Sequence, residues 1–276
     1  MTIRRKCGDG ESPQTNMFAI SLHSIAPVRA EAREEAEQNT QMLFGELCTV
    51  LEEQPRWKRI RLNADKQEGW ADAKMVTPMS DEEYSAYEKA LRTAAMVAFP
   101  MALAVSENNG QTIPLTAGTR LTNYKDGRFE VLGVGFRIDP SMVITEPLVL
   151  NEQNVQQAVR FFLNVPYLWG GKNALGMDCS GFTQTIMSLF GKKLLRNASE
   201  QVTQGESVES LEKAQPGDLV FFDHEDGRIS HVGIVLSPSS VIHCSGRVKV
   251  EKLDSQGVYS AEQGGYTHHL VSIRRI

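Results

Sequence analysis

The chain has 276 residues, 41% of them apolar and 23% charged, with 29 basic against 34 acidic side chains and a formal net charge of −5. That length is roughly two domains of ~150 residues, with room for three small ones, and the composition excludes a disordered tail protein and a collagen-like chain. The acidic balance argues against a general nucleic-acid binder, and no apolar run approaches the ~20 residues that span a bilayer.

Residues 1–16 are polar and are expected to be disordered. They open on Met1-Thr2-Ile3-Arg4-Arg5-Lys6, basic like the start of a secretion signal, and continue Cys7-Gly8-Asp9-Gly10 with no apolar stretch behind. That pattern favours a cytoplasmic protein over an exported one, although a mature form stripped of its leader would look the same. Residues 17–79 contain short β-rich pieces: Phe18–Leu22, Leu47–Leu51 and Trp57–Leu62, the last alternating apolar and basic residues as a strand with one wet face does. Short strands closed by Gly69-Trp70-Ala71 read as a small barrel. Ser80 with Glu83 three residues on makes a capping box, so residues 80–93 read as a linker helix.

A second small β-block follows over 94–150. It contains Met96–Phe99, Met101–Val105, the turn Asn108-Asn109-Gly110, and two segments, Thr119–Thr122 and Phe129–Val134, flanking a hairpin turn at Lys125-Asp126-Gly127. From Asn151 the pattern changes. Val155, Ala158, Val159, Phe162 and Leu163 fall at helical spacing up to Pro166, and Asp178–Phe190 reads as a second helix stopped by Gly191. Three strands are expected over Asp218–Phe222, His231–Leu236 and Val241–His243, with a terminal strand over Leu270–Ile273. Helices first and antiparallel strands after make residues 151–276 an α+β domain.

The cysteines fall at positions 7, 48, 179 and 244, too few for a disulfide scaffold and without the paired spacing of a zinc ribbon. Cys179 is the one placed for chemistry. It starts a helix, where free N–H groups and the helix dipole favour a thiolate and can hold an oxyanion, and glycines on either side let a substrate approach. A thiolate needs a base. If Leu236 pairs with Ser240 across the short Ser237-Pro238-Ser239 link, His243 becomes the diagonal neighbour of His231 on one face of a hairpin. One imidazole can then orient the other while that other takes the thiol proton. A shift of one residue in register would destroy this arrangement. The rival use of these residues, a metal site of Cys179, His231, His243 and Cys244, is disfavoured because His243 and Cys244 are adjacent in a strand and point to opposite faces. Cys244 reads as a packing residue, and His268-His269 as an exposed turn pair.

Taken together, Pro166-Tyr167-Leu168-Trp169-Gly170-Gly171, Asp178-Cys179-Ser180-Gly181-Phe182, Gln215-Pro216-Gly217-Asp218-Leu219-Val220-Phe221-Phe222, Ile229-Ser230-His231-Val232-Gly233-Ile234 and Ile242-His243 resemble the NlpC-type cell-wall peptidases, a papain-like cysteine peptidase family. The resemblance implies Cys179 as nucleophile, His231 as general base and His243 as third polar residue, with Tyr167 beside the nucleophile. Asp218 reads as structural. The N-terminal blocks resemble paired bacterial SH3-like domains, with Pro27-Val28-Arg29 and Gly69-Trp70 as the recognisable pieces of the first.

The implied architecture is thus a papain-like α+β catalytic domain preceded by two small SH3-like β-barrels. The implied activity is hydrolysis of the γ-D-glutamyl–diamino-acid bond in peptidoglycan-derived (murein) peptides that keep a free N-terminal L-alanine, without cofactor or metal. In such relatives the first barrel packs against the cleft, so that only a short peptide head fits. Asp178 and Ser180 match residues that hold the amine and the D-glutamate carboxylate, and Ser199 a further contact. A second acid from the first barrel is expected, with Glu37 as the candidate. If a buried carboxylate is what the amine neutralises, capping the amine should cost about 3–5 kcal/mol. The competing readings are an endopeptidase or amidase working on intact wall, anchored by its SH3-like domains, and a non-catalytic wall-binding module. The intact Cys179, His231 and His243 argue against the last.

Overall fold

Alternating burial builds the first block. In a computed structural model, which describes residues 17–223 and 227–276, Ile60 and Leu62 are buried while Arg59 and Arg61 face outward. The polar start of the chain, expected to be disordered, lies outside the described residues. Seven strands form one antiparallel sheet: β1 (Met17–Ile20), β2 (Ile25–Arg29), β3 (Gln38–Leu43), β4 (Leu47–Glu53), β5 (Trp57–Leu62), β6 (Glu68–Asp72) and β7 (Thr77–Met79), in the order β3-β2-β6-β5-β4-β1-β7. Its core of Ala26, Val28, Met42, Cys48, Val50, Ile60, Leu62 and Ala71 draws on strands β2 to β6.

The capping box forms. Glu83 N donates to Ser80 Oγ at 3.1 Å and Ser80 N to Glu83 Oε2 at 2.8 Å, starting α1 (Asp81–Leu91). Tyr87 is the residue α1 buries. It enters a core that Ile20, Phe44 and Leu47 share with Ala95, Val97 and Leu121 of the next block, so the helix fastens the two blocks together.

The second block holds β8 (Ala95–Val97), β9 (Met101–Ser106), β10 (Thr112–Thr116), β11 (Arg120–Leu121), β12 (Arg128–Val131), β13 (Val134–Ile138) and β14 (Val143–Ile144), in two sheets ordered β10-β9-β13-β12 and β11-β8-β14. The hairpin expected in this block is corrected. Phe129–Val134 is not one strand, because Leu132 and Gly133 take φ of +47° and +76° and fold β12 back on β13. The turn at Asp126-Gly127 forms, with φ of +48° and +81°, and closes the bridge between Lys125 and Arg128 with Glu130 N donating to the Thr122 carbonyl beyond it, but β11 takes β8 as its strand partner. The sequence reading followed the apolar run and passed over a two-residue turn inside it.

The last block opens with α2 (Glu152–Arg160), N-capped by Asn151. This helix ends at Arg160, well before Pro166, so the proline is not what stops it. After the small pair β15 (Lys172–Asn173) and β16 (Gly176–Met177) come α3 (Cys179–Leu189) and α4 (Ala198–Gln201). The remaining strands are β17 (Glu206–Ser207), β18 (Leu219–Asp223), β19 (His231–Ser237), β20 (Ser240–Ser245), β21 (Arg247–Asp254), β22 (Gly257–Ser260) and β23 (Gly265–Arg275). They run in the order β17-β23-β18-β19-β20-β21-β22, and β22 pairs again with β23, so β18 to β23 close into a six-stranded barrel.

Burial alternates along the barrel strands. Leu219, Phe221, Val232, Ile234, Ile242 and Cys244 pack outward against Phe182, Ile186 and Leu189 of α3. Val220, Phe222, Val235, Val241, Leu253 and Val258 form a second cluster on the opposite face. The expected terminal strand is the middle of the 11-residue β23. His268 and His269 belong to that strand and not to a turn, and His268 is buried. Pairing on both sides, with β22 and with β18, is what draws this polar stretch into the barrel.

Candidate active site

α3 begins where Asp178 caps it. Asp178 Oδ1 accepts from Gly181 N at 2.7 Å, which satisfies one of the amides a helix start leaves without an intrahelical partner, and puts Cys179 at the first helical position. Gly181 is required by close approach. A Cβ there would lie 2.1 Å from the Gly171 carbonyl oxygen, so the Gly-Gly loop can lie on the helix only at this residue type. The glycine thus serves the fit of loop to helix.

The histidine hairpin has the expected register where it matters. Gly233 pairs with His243, Ile234 with Ile242 and Val235 with Val241, and the irregularity falls beyond, between Val235 and Ser237. His243 is therefore the diagonal neighbour of His231, and His231 Nε2 lies 2.8 Å from His243 Nδ1. His231 reaches a cavity of about 610 Å³ that Cys179 also lines. His243 sits behind it, fully buried.

The same cavity is lined by Tyr167, Asp178, Ser180 and Ser199, so the structure gathers these expected residues in one place. Glu37 is not among the lining residues. It is exposed just before β3, and the first block instead contributes Asn39, inside that strand, to the lining.

Burial pushes the Cys179 thiol up, to about 12. The Asp178 carboxylate adds to the rise, and the Val232 and Ser180 amides and Arg196 pull the other way. The expectation of a thiol acidified by its helix end is thereby reversed in the resting protein, because desolvation of a thiolate outweighs the field of the helix start. Burial raises the Tyr167 hydroxyl as well. Cys244 packs as expected, with Sγ donating to the Met177 carbonyl at 3.1 Å. Asp218 holds the barrel seam, accepting from Arg275 Nη2 at 2.7 Å and Gln215 N at 2.8 Å.

Three residues escaped the sequence reading. Arg196, 1% exposed, grips Asp178 with both nitrogens, Nη1 to Oδ1 at 3.0 Å and Nη2 to Oδ2 at 2.7 Å. It also donates to Ser180 Oγ at 2.9 Å and to Thr40 Oγ1 of the first block at 2.8 Å. With Gly170 N on Oδ2 at 2.9 Å, both Asp178 oxygens are fully engaged. Asp178 therefore does not present a bare carboxylate to a substrate amine, as the sequence reading supposed.

Glu251 is the second. Its Oε2 lies 2.9 Å from His243 Nε2, and its side chain is 7% exposed. The alternation Arg247-Val248-Lys249-Val250-Glu251 was the signal that would have found its strand. His268 is the third. It stacks on His231 with ring centroids 4.2 Å apart and planes at 29°. The ring nitrogens of His231, His243 and His268 lie within 4.8 Å of one another, a spacing that a metal ion could bridge. Both nitrogens of His243 are already engaged, Nδ1 with His231 and Nε2 with Glu251, so neither is free to bind an ion.

The first block closes one side of the site. Gln38 Nε2 donates to the Trp169 carbonyl at 3.0 Å, Gln41 Oε1 accepts from Lys172 N at 3.0 Å and Asn173 Nδ2 at 2.8 Å, and Lys172 Nζ meets Glu46 at 2.8 Å.

Known proteins share this arrangement of domains. Residues 164–275 match the NlpC/P60 family, and residues 28–74 match the bacterial dipeptidyl-peptidase SH3 domain. The gamma-D-glutamyl-L-lysine dipeptidyl-peptidase of Bacillus subtilis (strain 168) is 30% identical over 213 residues, which are 74% of this chain and 71% of that one. The protein of the same name from Bacillus cereus (strain ATCC 10987 / NRS 248) is 34% identical over 116 residues, 40% of this chain and 34% of its own. The crystal structure of an NlpC/P60 family protein from Bacillus cereus ATCC 10987 superposes with a TM-score of 0.78, covering 94% of this chain and 99% of that one. At 19% identity that likeness is one of fold.

Proposed function

The chain belongs to the NlpC/P60 family of cysteine peptidases, and on that premise we propose that it hydrolyses the γ-D-glutamyl–diamino-acid bond of peptidoglycan-derived peptides carrying a free N-terminal L-alanine. The observation that carries this reading is a helix-start cysteine sharing a cavity with His231, whose far nitrogen is held by His243. The name of the Bacillus subtilis relative supports the substrate class.

His231 Nε2 is taken by His243, so Nδ1 is the nitrogen that serves the thiol. As Sγ of Cys179 attacks the γ-carbonyl carbon, His231 Nδ1 takes the thiol proton, which lets a buried, neutral thiol react without a standing thiolate. The α3 N-terminus stabilises the oxyanion that forms. The intermediate collapses as the C–N bond breaks and His231 returns its proton to the leaving amine. Water, deprotonated by the same nitrogen, then cleaves the thioester and releases the L-Ala-γ-D-Glu head. Asn39 of β3 lines the cleft and Gln38 bonds the carbonyl of Trp169 beside it, which fits a cleft narrowed by the first block to short peptides.

The test is product analysis by mass spectrometry on L-Ala-γ-D-Glu-diamino-acid peptides, free and N-acetylated, and on intact peptidoglycan. The free peptide should yield the dipeptide and the diamino acid, and Cys179→Ala should yield neither. Preferential release of fragments from intact peptidoglycan would favour a wall endopeptidase instead.

A further inference from the structure

The two histidines alone do not determine which nitrogen carries which proton. A neutral imidazole can donate from either side, so the His231–His243 contact could run in either direction. Run one way, His231 Nε2–H donates to His243 Nδ1 and His231 Nδ1 keeps its lone pair. Run the other way, His243 Nδ1–H donates to His231 Nε2, the His231 proton moves to Nδ1, and that nitrogen can no longer accept from a thiol.

Glu251 breaks the tie. β20 and β21 pair in a register that sets His243 opposite Lys249 and Val241 opposite Glu251, so Glu251 is the diagonal neighbour of His243, as His243 is of His231. Its Oε2 meets His243 Nε2 at 2.9 Å, and its Oε1 is held by Lys249 Nζ at 3.2 Å. We propose that Glu251 is a positioning residue that fixes the tautomers of His243 and His231 in sequence and so makes His231 Nδ1 the base. The proposal rests on the peptidase reading above.

The logic is one of acceptor-only chemistry. An ionised carboxylate can only accept a hydrogen bond. Burial works to raise the Glu251 carboxyl, but the bonds from His243, Ser260 and Lys249 outweigh it and hold the group at about 2, so it is ionised throughout the working range. His243 Nε2 must therefore carry the proton, and Nδ1 must be bare. His231 Nε2–H then donates to it, and His231 Nδ1 is left with a lone pair. When His231 becomes an imidazolium during turnover, the same carboxylate stabilises the positive charge through His243.

Glu251→Gln is the discriminating variant, because Lys249 decides which way the new amide turns. The lysine ammonium claims the amide oxygen, which presents the NH2 group to His243 Nε2 and reverses the whole chain. The expected outcome is a loss in kcat/KM on the order of 10²–10⁴-fold, carried by kcat, in protein that remains folded at the assay temperature. Glu251→Asp, which keeps an acceptor, should retain most of the activity. The acid limb of the kcat/KM profile should move to lower pH in Glu251→Gln, since the imidazolium loses its carboxylate. The other charged or titratable groups facing His243 are His231, His268 and Lys249, with Glu262 behind Lys249 at 3.5 Å, and all are unchanged by the substitution.

Imidazole nitrogen NMR on the resting protein reads the tautomers without any substrate. The proton on His243 should sit on Nε2 in the wild type and on Nδ1 in Glu251→Gln. A wild-type His243 protonated on Nδ1, or a Glu251→Gln enzyme within threefold of wild type, would overturn the proposal. If the wild type cleaves no murein peptide at all, the peptidase reading fails while the tautomer measurement still decides the role of Glu251.

Discussion

His231 and His243 are both buried and only 2.8 Å apart, yet their roles differ because only His231 of the two reaches the cavity that holds Cys179. His231→Ala should therefore cost about 10²–10⁴-fold in kcat/KM, the usual worth of a general base, and His243→Ala less. Steady-state kinetics on the free tripeptide check the order, and a larger loss in His243→Ala would reverse the assignment. Glu251 adds a pH signature to stability. Its folded carboxyl lies at about 2 against an ordinary 4.5, so its charge favours the folded state above about pH 4.5, and that contribution is lost as pH falls toward 2. Denaturant titrations at pH 6 and pH 3 should show a smaller loss in Glu251→Gln than in the wild type; equal losses would mean that the Glu251 charge does not stabilise the fold. The histidine pair was legible from sequence because a short hairpin link and a period of two fix which residues share a face. Glu251 was missed although its strand follows β20 directly and carries the alternation Arg247–Glu251, whereas His268 was not legible, since it comes from β23, whose place depends on long-range pairing with β18 and β22 that no local pattern announces.

At the level of elements, the site hangs on how α3 is started. Asp178 caps the helix, Arg196 fixes Asp178, and the same guanidinium reaches Thr40 of the first block. Breaking a pair this deeply buried leaves an uncompensated charge, so Arg196→Ala should destabilise the protein by about 3–5 kcal/mol. Thermal melts read this directly, and an unchanged melting temperature would show that the pair carries no net weight. Helix starts and stops were the readily legible features: Ser80 with Glu83, Asp178 before Cys179, and Gly191 after Phe190 all act locally through capping. Arg196 was not legible, because a lone arginine in a loop shows its role only when two segments distant in sequence converge on it. The run Phe129–Val134 misled for the opposite reason: its apolar pattern is continuous, while the backbone turns at Leu132-Gly133.

For the whole molecule, the first block is part of the cleft and not an appendage. Its β3 supplies Asn39 to the cavity and Thr40 and Gln41 to the seam, with Lys172–Glu46 as an ion pair across it. The sequence anticipated a barrel that narrows the cleft but chose an exposed acid, Glu37, as its contact. The acids of that run lie in the loop before β3, and it is Asn39, inside the strand, that lines the cavity. Since Asp178 is already neutralised by Arg196, the proposed selection for a free amine is expected to rest on cleft shape and on polar contacts worth about 1.5–3 kcal/mol. N-acetylation should then lower kcat/KM by roughly 10- to 150-fold, less than the 3–5 kcal/mol of an unpaired buried carboxylate would give. Parallel kinetics on free and acetylated peptide measure the ratio, and a value near one would remove the case for a gated cleft.

The proposed chemistry stands on Cys179 carrying the L-Ala-γ-D-Glu acyl group during turnover. Rapid acid quenching of the enzyme with excess free tripeptide, followed by peptide mapping in a mass spectrometer, detects that intermediate. A thioester of the dipeptide is expected on the fragment containing Cys179, and none in Cys179→Ala. An acyl group found on Cys48 or Cys244, or undiminished turnover in Cys179→Ala, would refute the mechanism.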